Sequence, residues 1–62
     1  MENKMKTISE IVMTAKKLGC SAEKLMEEAD CLAEFGQFLH IEFSGYRENQ
    51  IREAAAAIAM SA

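Results

Sequence analysis

Three side chains in this 62-residue sequence have the chemistry of a metal ligand or a nucleophile: Cys20, Cys31 and His40. Structural zinc takes four nitrogen or sulfur ligands, with cysteines and histidines paired at short spacings. Here eleven positions separate Cys20 from Cys31 and nine separate Cys31 from His40, which fits no zinc signature. On a continuous helix, Cys31 and His40 also fail to share a face. A nucleophilic cysteine would need His40 as its base and a carboxylate to orient the ring. No glycine-rich segment is present to cradle a phosphate, and the chain is too short to shape a water-excluding pocket. No catalytic residue, no metal and no cofactor are therefore expected. His40 reads as an interface or partly buried residue, with a pH-dependent role as the alternative. The two cysteines are too few for a disulfide framework and read as small, reduced core residues of a cytoplasmic protein.

A second constellation is made of charge. Glu23, Glu27, Asp30 and Glu34 follow one another at steps of four, three and four, which lines them along one face of a helix. Such a row suits docking on a basic protein surface, or it is the solvated side of an amphipathic helix. Like charges four residues apart slightly destabilise a helix, which favours the functional alternative. The net charge of −3 is unevenly placed: five Lys face three acids up to Lys24, and two Arg face seven acids from Leu25 onward. A nucleic-acid binder needs the opposite sign, so a larger protein or complex with a basic surface is the expected partner and nucleic acid is not.

These side chains must be positioned by helices. Half of the residues are apolar, mostly Ala, Met, Leu and Ile, with few aromatics and no Pro or Trp. The expected fold is all-α, a three-helix domain of a helix hairpin and an Ala-rich third helix, in one domain over residues 1–62. The first helix is expected at about 8–18, where Met5, Ile8, Ile11, Val12, Ala15 and Leu18 recur at helical spacing. Thr7 and Glu10 have the spacing of a capping box at its start, and Gly19 is its natural stop. The second is expected at 21–43, capped by Ser21, with Leu25, Ala29, Leu32, Gly36, Leu39 and Phe43 on one face. The third is expected at 47–60, with Ile51, Ala55 and Ile58 as its stripe. The longest apolar run, Ala54 to Met60, is too short to cross a bilayer, and no secretory signal is visible.

Past Gly36 the pattern changes. Phe35, Phe38, Leu39, Ile41 and Phe43 are apolar all round a helix, which demands burial. The alternation of Leu39, Ile41 and Phe43 with His40, Glu42 and Ser44 leaves an extended segment as the alternative. Either conformation needs a second surface. The fold is therefore expected to be completed as a helical homodimer, through Phe35, Phe38, Leu39, Ile41 and Phe43 together with Ile51, Ala55 and Ile58.

Ala15, Gly19 and Ser21, with apolar support from Leu18, Cys20 and Leu25, have the layout of a small residue, a turn glycine and a hydroxyl cap. Residues 15–25 thereby resemble the helix-turn-helix of bacterial and phage DNA-binding regulators. The resemblance covers about a sixth of the chain and implies a dimeric regulator. Two departures stand out: Glu28 falls where that family keeps an apolar residue, and the second helix would show Glu23, Lys24, Glu27 and Glu28 to DNA. Base edges and phosphates call for Arg, Lys, Asn or Gln instead. In size and type the chain resembles accessory or phage-borne inhibitors of host machinery. The function expected is a non-enzymatic, protein-binding regulator or inhibitor that presents its acidic helix face; the alternative is the DNA-binding regulator.

Overall fold

The turn at Gly19 is set by its own backbone. In this computed structural model, which describes residues 4–61, helix α1 spans Lys4–Leu18 and Gly19 follows at φ 72°. Gly19 N–H donates to the Lys16 carbonyl at 3.2 Å and Cys20 N–H to the Ala15 carbonyl at 2.8 Å. That pair of bonds is the Schellman motif, and only glycine enters its left-handed position without strain. At the other end α1 reaches back beyond the expected start at Ile8. Lys4, Met5 and Lys6 are good helix formers, so nothing stops the helix there. Thr7 consequently lies inside α1, and its pairing with Glu10 as a capping box is corrected. Ile8, Ile11 and Ala15 are buried, with Val12 and Leu18 packed half-buried beside them; the side chain of Met5 lies outside the described set.

Helix α2 spans Ala22–Phe35 and begins as expected at Ser21, whose hydroxyl accepts the Lys24 N–H at 3.3 Å. Its end is a correction: the helix does not continue to residue 43. Gly36 adopts φ 75°, and its N–H donates to the Leu32 carbonyl at 2.8 Å. This is the single-bond left-handed cap, a second and simpler glycine stop. The chain then runs irregularly to a 3₁₀ turn at Ile41–Phe43, with no strand among the described residues. Phe43 is fully buried there, with the rings of Phe38 and His40 set edge-on to it at 6.4 and 6.1 Å. Burying Phe43 from a loop resolves the all-round apolar pattern that a helix could not satisfy.

Helix α3 spans Glu48–Ser61, close to expectation, and the Gln50 side chain closes its first turn by accepting the Arg47 N–H at 2.8 Å. Both other helices pack on α3, α2 more extensively than α1, while the 3₁₀ turn packs on α1. The expected α1–α2 hairpin is not what forms. After left-handed Gly19, Ser21 is extended at φ −79° and ψ 175°, and the two helices diverge with little direct packing. Ala54 and Ala55 are buried and small, so α3 can fill the space between the diverging helices.

The core comprises Ile8, Ile11, Ala15, Leu25, Ala29, Phe43, Ile51, Ala54 and Ala55. All three helices and the loop contribute to it within one chain. The Cα radius of gyration, 10.6 Å, is about that of a compact chain of this length. No helix among the described residues is long and apolar enough to cross a membrane.

Candidate functional site

Glu28 is the most informative residue of the molecule. It sits on α2 three residues after Leu25 and four before Leu32, on the side that faces the core. It is 1% exposed, so a buried side chain is indeed wanted at this position, yet the residue is a carboxylate. Its Oε1 accepts the Leu39 N–H at 2.8 Å and the His40 N–H at 3.3 Å. Its Oε2 meets His40 Nδ1 at 2.5 Å, which places a proton on that nitrogen when the carboxylate is ionised. A buried charge is tolerated when it is paired and hydrogen-bonded, and three donors meet this one. Glu28 thus does for the loop what a second strand would do: it supplies the acceptor for two consecutive backbone amides. No buried side-chain nitrogen or oxygen among the described residues lacks a partner.

Clamped in this way, the loop turns apolar side chains outward. Leu39 is 66% exposed and Ile41 82%, while Phe35, one residue before the loop's first glycine, is 68% exposed. Leu39 and Ile41 line an open hollow of about 410 Å³ with Leu32, Gly36, Phe38 and Tyr46. The residues expected to serve self-association therefore divide. Phe35, Leu39 and Ile41 stand at the surface, and Phe38 and Ile58 are half-buried against the core. Phe43, Ile51 and Ala55 are buried in the chain's own core, a correction that comes from the loop's inward fold for Phe43 and from the packing of α3 on the other two helices for Ile51 and Ala55.

The four acidic residues lie as the helical spacing requires: Glu23, Glu27, Asp30 and Glu34 are all exposed on α2. Asp30 accepts from Arg52 of α3 at 2.9 Å, and the same guanidinium bonds Glu48 at 2.9 Å. Hydrogen bonding to Asp30, then to Glu48, raises the Arg52 pKa further above its usual value. Solvent screening leaves these exposed pairs little weight in stability, but they tie α2 to α3. Among the described residues no ion pair reaches Glu23, Glu27 or Glu34. Beside this face Ala22, Met26, Ala55, Ala56 and Ala59 form a shallow apolar groove, bordered by Glu23 and Arg52. The opposite charge gathers on α1, where Lys6, Lys16 and Lys17 are exposed around Met13.

The thiols and the imidazole do not converge. Cys20 and Cys31 are both free and half-buried, and no group of three or more His, Cys, Asp or Glu among the described residues is placed to hold a metal ion. Burial first, and the charge of Glu28 next, raise the pKa of Cys20 above the usual thiol value, with Lys24 opposing. Raising a thiol pKa lowers its thiolate fraction, which is the reverse of what activates a nucleophile. His40 is bound to Glu28 rather than to a cysteine.

Two features of the sequence, not read that way above, bear on the clamp. A carboxylate at a core-facing helical position needs donors, and Gly36 was as good a helix stop as Gly19. In comparisons with known proteins, no family model, no curated protein and no solved structure matches this chain.

Proposed function

We propose that this chain is a small, non-catalytic, protein-binding regulator or inhibitor working in the cytoplasm, which presents the outer face of α2 to a basic surface on a larger protein or complex. One observation carries this: Glu23, Glu27, Asp30 and Glu34 stand exposed on a single helix, and only Asp30 of the four has a cation beside it within the described residues. The helix beneath is held fast by Leu25, Glu28 and Ala29, so the charges are presented without the cost of ordering a flexible segment. The apolar groove alongside, between α2 and α3, gives the face desolvated area as well as charge.

A purification of partners from the native host with tagged wild-type chain, followed by mass spectrometry, tests this. The partner should be retained by wild type, released as salt rises, and lost in the double variant Glu27→Lys, Glu34→Lys. Both sites are exposed, so the helical circular dichroism should stay unchanged. Retention by the charge-reversed variant would exclude the acidic face.

The junction of α1 and α2 favours a second reading, a helix-turn-helix regulator that binds DNA. The left-handed Gly19 and the Ser21 cap, which join two helices across a short turn at residues 19–21, are features such a unit needs. Against it, α2 offers Glu23 and Glu27 where phosphates would lie. Affinity for random duplex DNA that falls steeply with salt would establish this reading and remove the first, because counterion release marks phosphate contact.

A further inference from the structure

We infer that the hollow at the C-terminal end of α2 is a docking site for a bulky apolar side chain flanked by lysine or arginine on a partner polypeptide. The inference rests on the protein-binding reading and names the anchor that the acidic face lacks.

Three observations point to this occupant. First, the apolar surface here is large for so small a chain. At their observed exposures, Leu39 and Ile41 at the hollow and Phe35 on the adjoining last turn of α2 together offer roughly 400 Å². The largest apolar patch of a monomer is about 300–600 Å² and is often functional, and here that much is gathered on a chain of 62 residues. The surface is also held in place, because the buried carboxylate of Glu28 binds the amides of Leu39 and His40 and so fixes the loop that carries Leu39 and Ile41. Second, the electrostatic surroundings call for a cation. Helix α2 has no basic residue in its last turn, where the dipole is negative, and carries Glu34 there instead. Glu42 is exposed between Ile41 and Phe43, His40 is committed to Glu28, and the loop's other cation, Arg47, stands at the start of α3 and does not line the hollow. Third, a second copy related by a two-fold axis fits poorly. It would bring Glu34 and Glu42 of both copies into one interface with no cation of the patch to offset them, and roughly 400 Å² is half of the ~800 Å² per partner of a stable interface. An apolar anchor in the hollow, with cations reaching Glu34 and the carbonyl end of α2, uses the surface as it stands. The acidic row then continues the same footprint along α2.

The test is an NMR titration of ¹⁵N-labelled chain with three short synthetic peptides: a Trp-Leu pair flanked by lysines, the same pair flanked by glutamates, and a Ser-Ser pair flanked by lysines. The lysine-flanked Trp-Leu peptide should shift the amides of Gly36, Phe38, Leu39 and Ile41. The variant Leu39→Ser, Ile41→Ser should weaken it by about tenfold or more. Both substituted residues are exposed, so a wild-type-like melting curve for the variant is expected and makes loss of binding a local result.

Shifts confined to Glu23–Glu34, equal for the Ser-Ser peptide, would leave the acidic-face reading standing and overturn the hollow. Equal binding of the glutamate-flanked peptide would overturn the cationic partner. No shift at either surface with any lysine peptide would count against both. Concentration-dependent shifts of the same loop amides without peptide would overturn the proposal in favour of a second copy.

Discussion

Two connections join the three helices, and both begin with a left-handed glycine. Gly19 and Gly36 have φ values of 72° and 75°, and a Cβ built on either would meet nothing within 4 Å. Beyond that the two diverge. The first connection closes with two backbone bonds and a serine cap, all made between near neighbours in sequence, while Leu18 and Cys20 pack on the core. In the second, one backbone bond caps α2 and three more shape the 3₁₀ turn, but the segment between them depends on a side chain eleven and twelve residues upstream, together with an aromatic ring carried into the core. The first turn is written in adjacent residues. The second is written in tertiary contacts, and it is the one that leaves apolar side chains in water.

Substitutions can break this contrast or sharpen it. The largest effect is expected from Phe43→Ala. Emptying the space of a fully buried Phe costs about 3–5 kcal/mol, as much as a core of this size supplies. Thermal denaturation should show a chain largely unfolded at 25 °C. A cooperative melt near wild type would mean that the loop is not part of the core.

Glu28→Ala comes next, at about 2–3 kcal/mol, because it orphans two amides and the His40 ring in a partly buried setting. Glu28→Gln keeps one acceptor oxygen and should recover about half of that loss. Hydrogen exchange localises the effect: the amides of Leu39 and His40 should lose protection first, while Cys20, bonded within the first turn, keeps its own.

The smallest effects are expected from Gly19→Ala and Gly36→Ala. Each should cost about 1–2 kcal/mol, from backbone conformation alone, since there is room for the methyl group. Similar values would show that the two glycines do the same local job and that the connections differ only beyond their glycines. A much smaller value at Gly36 would show that the clamp, not the cap, ends α2.

The same contrast explains how much was legible in the sequence. Helix α3, the end of α1 and the start of α2 follow from neighbouring residues: a glycine stop, a serine cap and apolar steps of three and four. The acidic row was equally legible, because a helical face depends only on spacing. The loop was not. Gly36 falls in phase with Leu32 and Leu39, so it passed for a small residue on a continuing face, and Phe43 extended that stripe. Beyond the left-handed cap at Gly36, what favours ending α2 there is the gain from turning Phe43 inward and satisfying two amides at Glu28, a gain that exists only once α1 and α3 are in place. The hairpin expectation failed for a related reason. A short turn predicts adjacency of α1 and α2, but with small buried alanines α3 packs between them better than they pack on each other.

The clamp constrains variation unequally at its two ends. Glu28 contributes a specific side chain of specific reach, whereas residue 39 contributes only a main-chain N–H, and residue 40 a main-chain N–H with an imidazole added. Any residue except proline supplies that amide. Position 39 is therefore free to change its side chain without loosening the loop's attachment, and the exposed position 41 makes no demand on the clamp at all. A fixed acid inside and replaceable residues outside form a holder with interchangeable tips, so the surface shown to a partner can be rewritten while the fold beneath it is inherited unchanged.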